Sequence, residues 1–270
     1  MPTLPRSYLF VPGDRPERFD KAAASGAHRM ILDLEDAVAS TEKAAARDAV
    51  AQWLAAHAGL QSLVRVNAVD TPWHDDDLRM LRQHPYAGLM LPKAEPGSVL
   101  DVLPRLEGAR ERVMLVETVA GLLGLRALAA VPGVGRVAFG SIDFGVDAGM
   151  ADGDDEPGMT AVRVQIALES RHAGLPPPID GVTPAFGEDD PAGRQAGHAR
   201  RLGFGAKLCI HPRQVEGVNA AFAPSAQERD WAVRVLAAFE ASGGAVVAVD
   251  GKMVDRPVVE RARRILAIGS

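Results

Sequence analysis

The chain has 270 residues, 47% of them hydrophobic and 24% charged, an ordinary globular composition long enough for one large buried core. Its formal net charge of -5 argues against a general nucleic-acid surface, because a polyanion binder carries a concentrated basic face, although a local basic site for a phosphorylated ligand remains compatible with it. Cys209 is the sole cysteine, so no intrachain disulfide forms, and neither a charged segment leading into an apolar leader nor a run of about 18 apolar residues occurs; a soluble, cytoplasmic protein without membrane contact is expected.

Short apolar runs alternate with helix-like segments along the whole chain. Residues 8–11 predict a first strand, stopped by Pro12-Gly13, and residues 15–25 a helix ending near Gly26. Residues 30–32 predict a second strand that runs into Asp33, Glu35 and Asp36. A helix over 41–57 follows, with Ser40 as its cap and Gly59 as its stop. Residues 63–66 and 88–91 predict the third and fourth strands, with helices over 75–83 and 98–106 after them. The fifth strand, 113–116, ends at Glu117; a helix over 118–130 leads to the sixth, 137–139, whose Gly140-containing loop delivers Asp143. The acidic, glycine-rich stretch 147–158 reads as a solvated, mobile loop before a helix over 161–173. Residues 178–179 and 206–210 supply the last two strands, with helices over 191–202 and 214–223. This alternation predicts an α/β chain folded as a (β/α)8 TIM barrel over residues 1–223. Residues 224–270 exceed what barrel closure requires. A helix over 225–241, an apolar run over 245–249, the segment Asp250-Gly251-Lys252-Met253 and a helix over 257–268 form a C-terminal helical extension. It reads as a lid, a subunit-contact segment or a stabilising tail.

Carboxylates leave two consecutive strand ends, Glu117 and Asp143. Loops after strand C-termini build the active sites of parallel α/β proteins. Two oxygen ligands from such ends, with water and substrate completing an octahedron, suit Mg²⁺; two solvated loop acids or helix caps would look the same locally. Further polar groups follow the other strands: Glu35 and Asp36, Arg65 and Asn67, Lys93 and Glu95, Lys207 and His211. Arg65 can offer a bidentate fork to a substrate carboxylate, with a salt bridge inside the barrel mouth as its alternative use. If the second strand continues, Glu35 and Asp36 point to opposite faces, so one of them at most faces the ligand. Both, with Lys93, are expected to order metal-bound water or neighbouring cations.

The motifs RSYLFVPG at 6–13, LDLEDAV at 32–38, RVN at 65–67, LPKAE at 91–95, VET at 116–118, FGSIDF at 139–144, PIDGV at 178–182 and KLCIHPRQ at 207–214 occur in register across the chain. Together they resemble the citrate lyase β-subunit family, within the wider HpcH/HpaI aldolase/citrate lyase group that includes malyl-CoA and citramalyl-CoA lyases. The resemblance implies a Mg²⁺-dependent (Mn²⁺ as alternative) carbon–carbon lyase that cleaves or forms a 3-hydroxyacyl-CoA thioester from acetyl-CoA and a 2-oxo acid. It implies Glu117 and Asp143 as metal ligands, with Glu117 also facing substrate, and Arg65 as the substrate arginine. Phe10, Lys21, Ile210 and His211 fall at CoA-contact positions, while Glu17 stands where some relatives carry a basic contact. The segment 251–257 resembles a lid whose aspartate, here Asp255, acts as acid/base residue in a neighbouring subunit of a homotrimer; a helix N-cap ahead of Pro257 is its alternative. A true citrate lyase β subunit would act with an acyl-carrier partner on a citryl thioester, and hydrolysis after condensation is a related variation. A catalytically silent barrel used for binding or assembly is the reading from another class. The metal-dependent hydroxy-oxo-acid aldolases of the group carry a histidine after the second strand, where this chain has Asp33-Leu34-Glu35-Asp36.

Overall fold

Strands buried on both faces read as near-continuous apolar runs, as residues 30–32, 88–91 and 113–116 do. In the computed structural model, which describes residues 4–106, 108, 111–150, 157–187 and 189–268, the runs identified above form eight parallel strands closed in chain order. These are β1 (Ser7–Pro12), β2 (Arg29–Asp33), β3 (Ser62–Arg65), β4 (Gly88–Leu91), β5 (Arg112–Val116), β6 (Arg136–Phe139), β7 (Ile179–Asp180) and β8 (Ala206–Cys209). Closure comes from β1 against β8, with Ser7 opposite Lys207. Tyr8, Ile31, Leu63, Met90, Leu115, Ala138, Ile179 and Leu208 fill the barrel interior. The fold is a (β/α)8 barrel with C-terminal helices.

Helices α1 (Phe19–Ala23), α2 (Lys43–Ala56), α3 (His74–Arg82), α4 (Pro96–Val102), α5 (Val119–Leu123), α6 (Leu125–Ala129), α7 (Ser141–Ala148), α8 (Pro157–His172), α9 (Pro191–Arg201) and α10 (Arg213–Phe222) alternate with the strands. In α2 the buried residues Ala46, Val50, Trp53 and Leu54 recur at helical spacing, which turns one stripe inward. Ser40 does not cap α2: it opens a 3-10 turn, and Glu42 precedes the helix without a side-chain cap. The single helix expected over 118–130 is two, α5 and α6, parted at Gly124, where a Cβ would lie 2.8 Å from the Pro96 ring. The loop expected over 147–158 is partly helical: α7 runs to Ala148 and ends on left-handed Gly149, while residues 151–156 lie outside the described residues.

Charged groups close the end of the barrel opposite the strand C-termini. Tyr8 donates to Glu111, which also takes Arg29 Nε at 2.6 Å, and Arg136 donates to Tyr8 and to Pro5 O. Burial pushes the Tyr8 phenol well above its usual range. Lys207 does not join the mouth. With Ala206 and Leu208 facing the interior, alternation turns Lys207 outward. There its ammonium meets Asp180 at 2.9 Å and Gly181 O at 2.6 Å, and Arg163 of α8 takes the other Asp180 oxygen at 2.8 Å.

The chain divides into two compact units, one of residues 5–220 and one holding residues 221–268. In the second, α11 (Ala226–Ala241) starts with a Ser225/Glu228 capping box and α12 (Arg256–Ala267) with Asp255. Between them lies an antiparallel hairpin absent from the sequence expectations, β9 (Val247–Val249) and β10 (Lys252–Val254). Asp250 and Gly251 form its turn with φ of 51° and 74°. Ala232, Val235, Val254, Val259, Ala262 and Ile265 make this unit's own core. No helix among the described residues is long and apolar enough to cross a membrane.

Candidate active site

Strand alternation decides which side chains reach the barrel mouth. Ile31, Leu63 and Leu115 face the interior, so the residues two further on, Asp33, Arg65 and Glu117, face the same way at the C-terminal end. Register puts Asp33 directly beside Arg65. Together with Phe10, Asp36, Asp143 and Ile210 they line one cavity of about 480 Å³.

Arg65 is 8% exposed and its fork is already used inside the protein: Nε donates to Asp33 Oδ1 at 2.7 Å and Nη2 to Asp33 Oδ2 at 2.6 Å. Glu35 lies 2.9 Å and Asp36 3.5 Å from Nη1, and the guanidinium stacks 4.8 Å from the Phe10 ring. The bidentate fork expected to meet a substrate carboxylate therefore meets Asp33. A guanidinium has five N–H groups; Asp33 takes one on Nε and one on Nη2, the Nη1 pair faces Glu35 and Asp36, and the second Nη2 hydrogen is left for a contact from the cavity. Burial opposes the charge, but Asp33 overrides it and the Arg65 pKa is raised. Asp33 is the site residue that the sequence reading missed.

The condition for opposite faces at Glu35 and Asp36 is not met, because β2 ends at Asp33 and the chain turns; of the two, Asp36 lines the cavity and Glu35 does not. Both acids approach Arg65. Glu35 is 4% exposed and bridges Arg65 to Lys93, whose Nζ lies 3.4 Å away. Burial pushes Glu35 up to about 7, with Arg65 opposing and Asp36 adding to the rise.

Glu117 is 2% exposed, and burial pushes it up to about 8, helped by the neighbouring Glu35 charge. Its Oε1 accepts the Lys93 backbone N–H at 2.8 Å. Lys93 makes that bond from a left-handed backbone, φ 45°, a conformation that costs a non-glycine residue on the order of 1–3 kcal/mol. On the other side, a Cβ on Gly140 would lie 2.5 Å from both Cβ and Oε2 of Glu117. Only glycine leaves room for the carboxylate. Asp143 is not in a loop: α7 begins at Ser141, and Asp143 sits exposed in its first turn, where the helix N-terminus favours negative charge.

Glu117 and Asp143 form a two-carboxylate, all-oxygen set on one wall. No cluster of three His, Cys, Asp or Glu side chains suited to a metal occurs among the described residues. The pair nonetheless fits a hard cation such as Mg²⁺, which binds through one or two carboxylates and keeps water or substrate oxygens in its other positions. The burial penalty on Glu117 is what a cation would relieve.

Other expected site residues lie elsewhere. Lys21 is exposed on α1 and outside the cavity lining. His211 stacks on Phe186 at 4.9 Å and is also outside it. Glu95 caps α4 and accepts from Thr118 Oγ1 at 3.3 Å, and Asn67 donates to Asp77 at 2.7 Å. Asp255, on the second unit, takes the N-cap role: its side chain accepts from Val258 N at 3.3 Å.

A solved structure of protein CitE from Mycobacterium tuberculosis, in complex with magnesium, acetoacetate and coenzyme A, superposes with a TM-score of 0.85 at 34% identity, over 100% of this chain and 99% of that one. A citrate lyase subunit beta-like protein of Deinococcus radiodurans is 35% identical over 98% of both chains. A (3S)-malyl-CoA thioesterase of Cereibacter sphaeroides is 33% identical over 97% of this chain and 93% of its own. The sequence model of the HpcH/HpaI aldolase/citrate lyase family matches residues 6–212, the stretch that carries every strand of the barrel, and the chain belongs to that family.

Proposed function

We propose that the protein is a Mg²⁺-dependent carbon–carbon lyase that cleaves, or in reverse forms, a 3-hydroxyacyl-CoA thioester such as malyl-CoA or citramalyl-CoA. The reading is carried by one observation: Glu117, Asp143 and Arg65 line the same cavity at the C-terminal end of the barrel. The magnesium and coenzyme A of the CitE complex support the choice of ion and thioester.

Glu117 and Asp143 provide the oxygens that hold the ion. When bound, Mg²⁺ supplies Lewis-acid polarisation of the substrate's hydroxyl and carboxylate oxygens and lowers the hydroxyl pKa. Loss of the hydroxyl proton to solvent water lets its carbon become a carbonyl as the adjacent carbon–carbon bond breaks. The 2-oxo acid leaves and the electron pair stays on the acetyl-CoA enolate. Arg65, held by Asp33, Phe10 and the Glu35 charge, directs its remaining N–H at the enolate oxygen, an interaction that strengthens as charge develops there. Asp255 gives the enolate carbon its proton, or in synthesis removes one from the acetyl methyl group, acting in a neighbouring copy of a homotrimer. Phe10, Lys21, Ile210 and His211 are the proposed CoA contacts, and Glu35, Asp36 and Lys93 hold the charge balance around Arg65.

Two further outcomes belong to the same site. The citrate lyase β-like relative favours a citryl thioester on an acyl-carrier partner, and the thioesterase relative favours hydrolysis of the thioester. The test is to incubate the purified protein with both configurations of malyl-CoA and citramalyl-CoA and follow glyoxylate, pyruvate and free CoA. EDTA-sensitive release of a 2-oxo acid with acetyl-CoA is the expected result. Free CoA with an intact hydroxy acid would replace the lyase with a thioesterase, and no turnover by a Mg²⁺-binding protein would favour the carrier-bound substrate.

A further inference from the structure

Lys43 is the first residue of α2 and is 6% exposed. Its ammonium donates to the carbonyl oxygens of Leu34 and Glu35, both at 2.7 Å, and stands 5.3 Å over the Trp73 ring. A buried ammonium is expensive unless its hydrogen bonds are made, so these partners matter to the fold. Lys43 is outside the cavity lining and takes no part in the mechanism above.

The turn it grips carries Glu35 and Asp36. From the other side, Asp33 Oδ1 accepts the Glu35 N–H at 3.0 Å and Oδ2 the Ala37 N–H at 3.3 Å. Asp33 thus holds the turn's N–H groups and Lys43 its carbonyls. The buried Glu35 carboxylate makes only charge contacts, to Arg65 at 2.9 Å and Lys93 at 3.4 Å, and neither oxygen has a hydrogen bond of good geometry. With no side-chain hydrogen bond to anchor it, the carboxylate depends on where the backbone of the turn places it.

We infer that Lys43 is a positioning residue: by clamping the Leu34 and Glu35 carbonyls it fixes the Glu35 carboxylate between Arg65 and Lys93, and so holds Arg65 in its catalytic orientation. The inference rests on the proposed role of Arg65. It makes the acidic turn and the start of α2 one device, joined across the eight to nine residues between carbonyl and ammonium.

The test is a cycle of Lys43→Met, Glu35→Gln and the double variant, read by kcat and KM for malyl-CoA and citramalyl-CoA. Misplacing an active-site group by about 1 Å can cost on the order of a hundredfold in rate. Lys43→Met is expected to lower kcat roughly ten- to a hundredfold with KM within about twofold, whereas in the Glu35→Gln background the same change should cost under about twofold, as coupled sites do. Additive losses, or an unchanged kcat in folded Lys43→Met, overturn the inference. Hydrogen exchange at the Glu35 and Ala37 amides in Lys43→Gln, whose shorter side chain loses the ammonium and keeps only an amide NH2, reads the clamp without turnover and without the milder variant having to be active. Faster exchange confined to that turn supports the clamp; exchange equal to wild type overturns it. A wild-type protein that neither turns over these thioesters nor binds Mg²⁺ would instead remove the functional reading and leave the exchange result to decide the clamp.

Discussion

Gly140→Ala tests the geometry around Glu117 with one carbon atom. Gly140 has φ −91°, which alanine adopts freely, so the backbone is not what demands glycine. The demand is spatial: the new Cβ would lie 2.5 Å from Glu117 Cβ and Oε2, against an ordinary contact of 3.4 Å or more. Glu117 must then give by about 0.9 Å or β5 and β6 must part. Glu117 is 2% exposed and tied to Lys93 N, so its carboxylate has little freedom to give. Overpacking of this kind costs about 1–3 kcal/mol, or a fall in Tm of roughly 2–12 °C for a domain of this size. The same displacement of a metal-binding oxygen should lower kcat about a hundredfold and weaken Mg²⁺ binding in calorimetry. Gly59→Ala, whose Cβ meets nothing within 4 Å, is the matched control. Wild-type Mg²⁺ affinity and turnover in Gly140→Ala would refute the assignment of Glu117 as a rigidly placed ligand.

Glu117→Gln and Asp143→Asn should each abolish Mg²⁺-dependent turnover while circular dichroism stays native; Glu117→Gln should melt no lower than wild type in the metal-free protein at pH 8, since burial already opposes the charge it removes. The Glu117 pKa of about 8 is above that of an unfolded-chain glutamate, so its contribution to stability is present at low pH and fades as pH rises towards 8. Metal-free protein should accordingly lose stability as pH climbs from about 5 to 8, and Mg²⁺ affinity should rise over the upper part of that window as Glu117 releases its proton. A pH-independent affinity would contradict this. Asp180→Asn, outside the cavity lining, leaves Lys207 and Arg163 short of a counter-charge and should cost about 3–5 kcal/mol in denaturant unfolding.

The barrel is legible in the sequence because most of its strands carry apolar runs at regular intervals, as residues 88–91 and 113–116 illustrate. Glu117 and Arg65 are legible because they follow such runs. Asp33 follows one too, and the alternation that turns Ile31 inward turns Asp33 inward as well; counting two residues on from each interior position would have found it. The hairpin at 247–254 carried an Asp-Gly turn signal that went unread. Other features have no local signature. That the Arg65 fork is satisfied by Asp33 follows from strand register, and that Lys43 reaches back to Leu34 and Glu35 follows from how α2 packs on the barrel. The left-handed backbone of Lys93, a β-strand-end lysine by sequence, appears only once Glu117 Oε1 is beside it.

Calorimetric titration of metal-stripped protein with Mg²⁺, wild type beside the Glu117→Gln/Asp143→Asn double variant, tests most directly that these two carboxylates make the metal centre. The account predicts one Mg²⁺ per chain in the wild type and no saturable binding in the folded double variant. Equal binding by both proteins would place the ion elsewhere and contradict it.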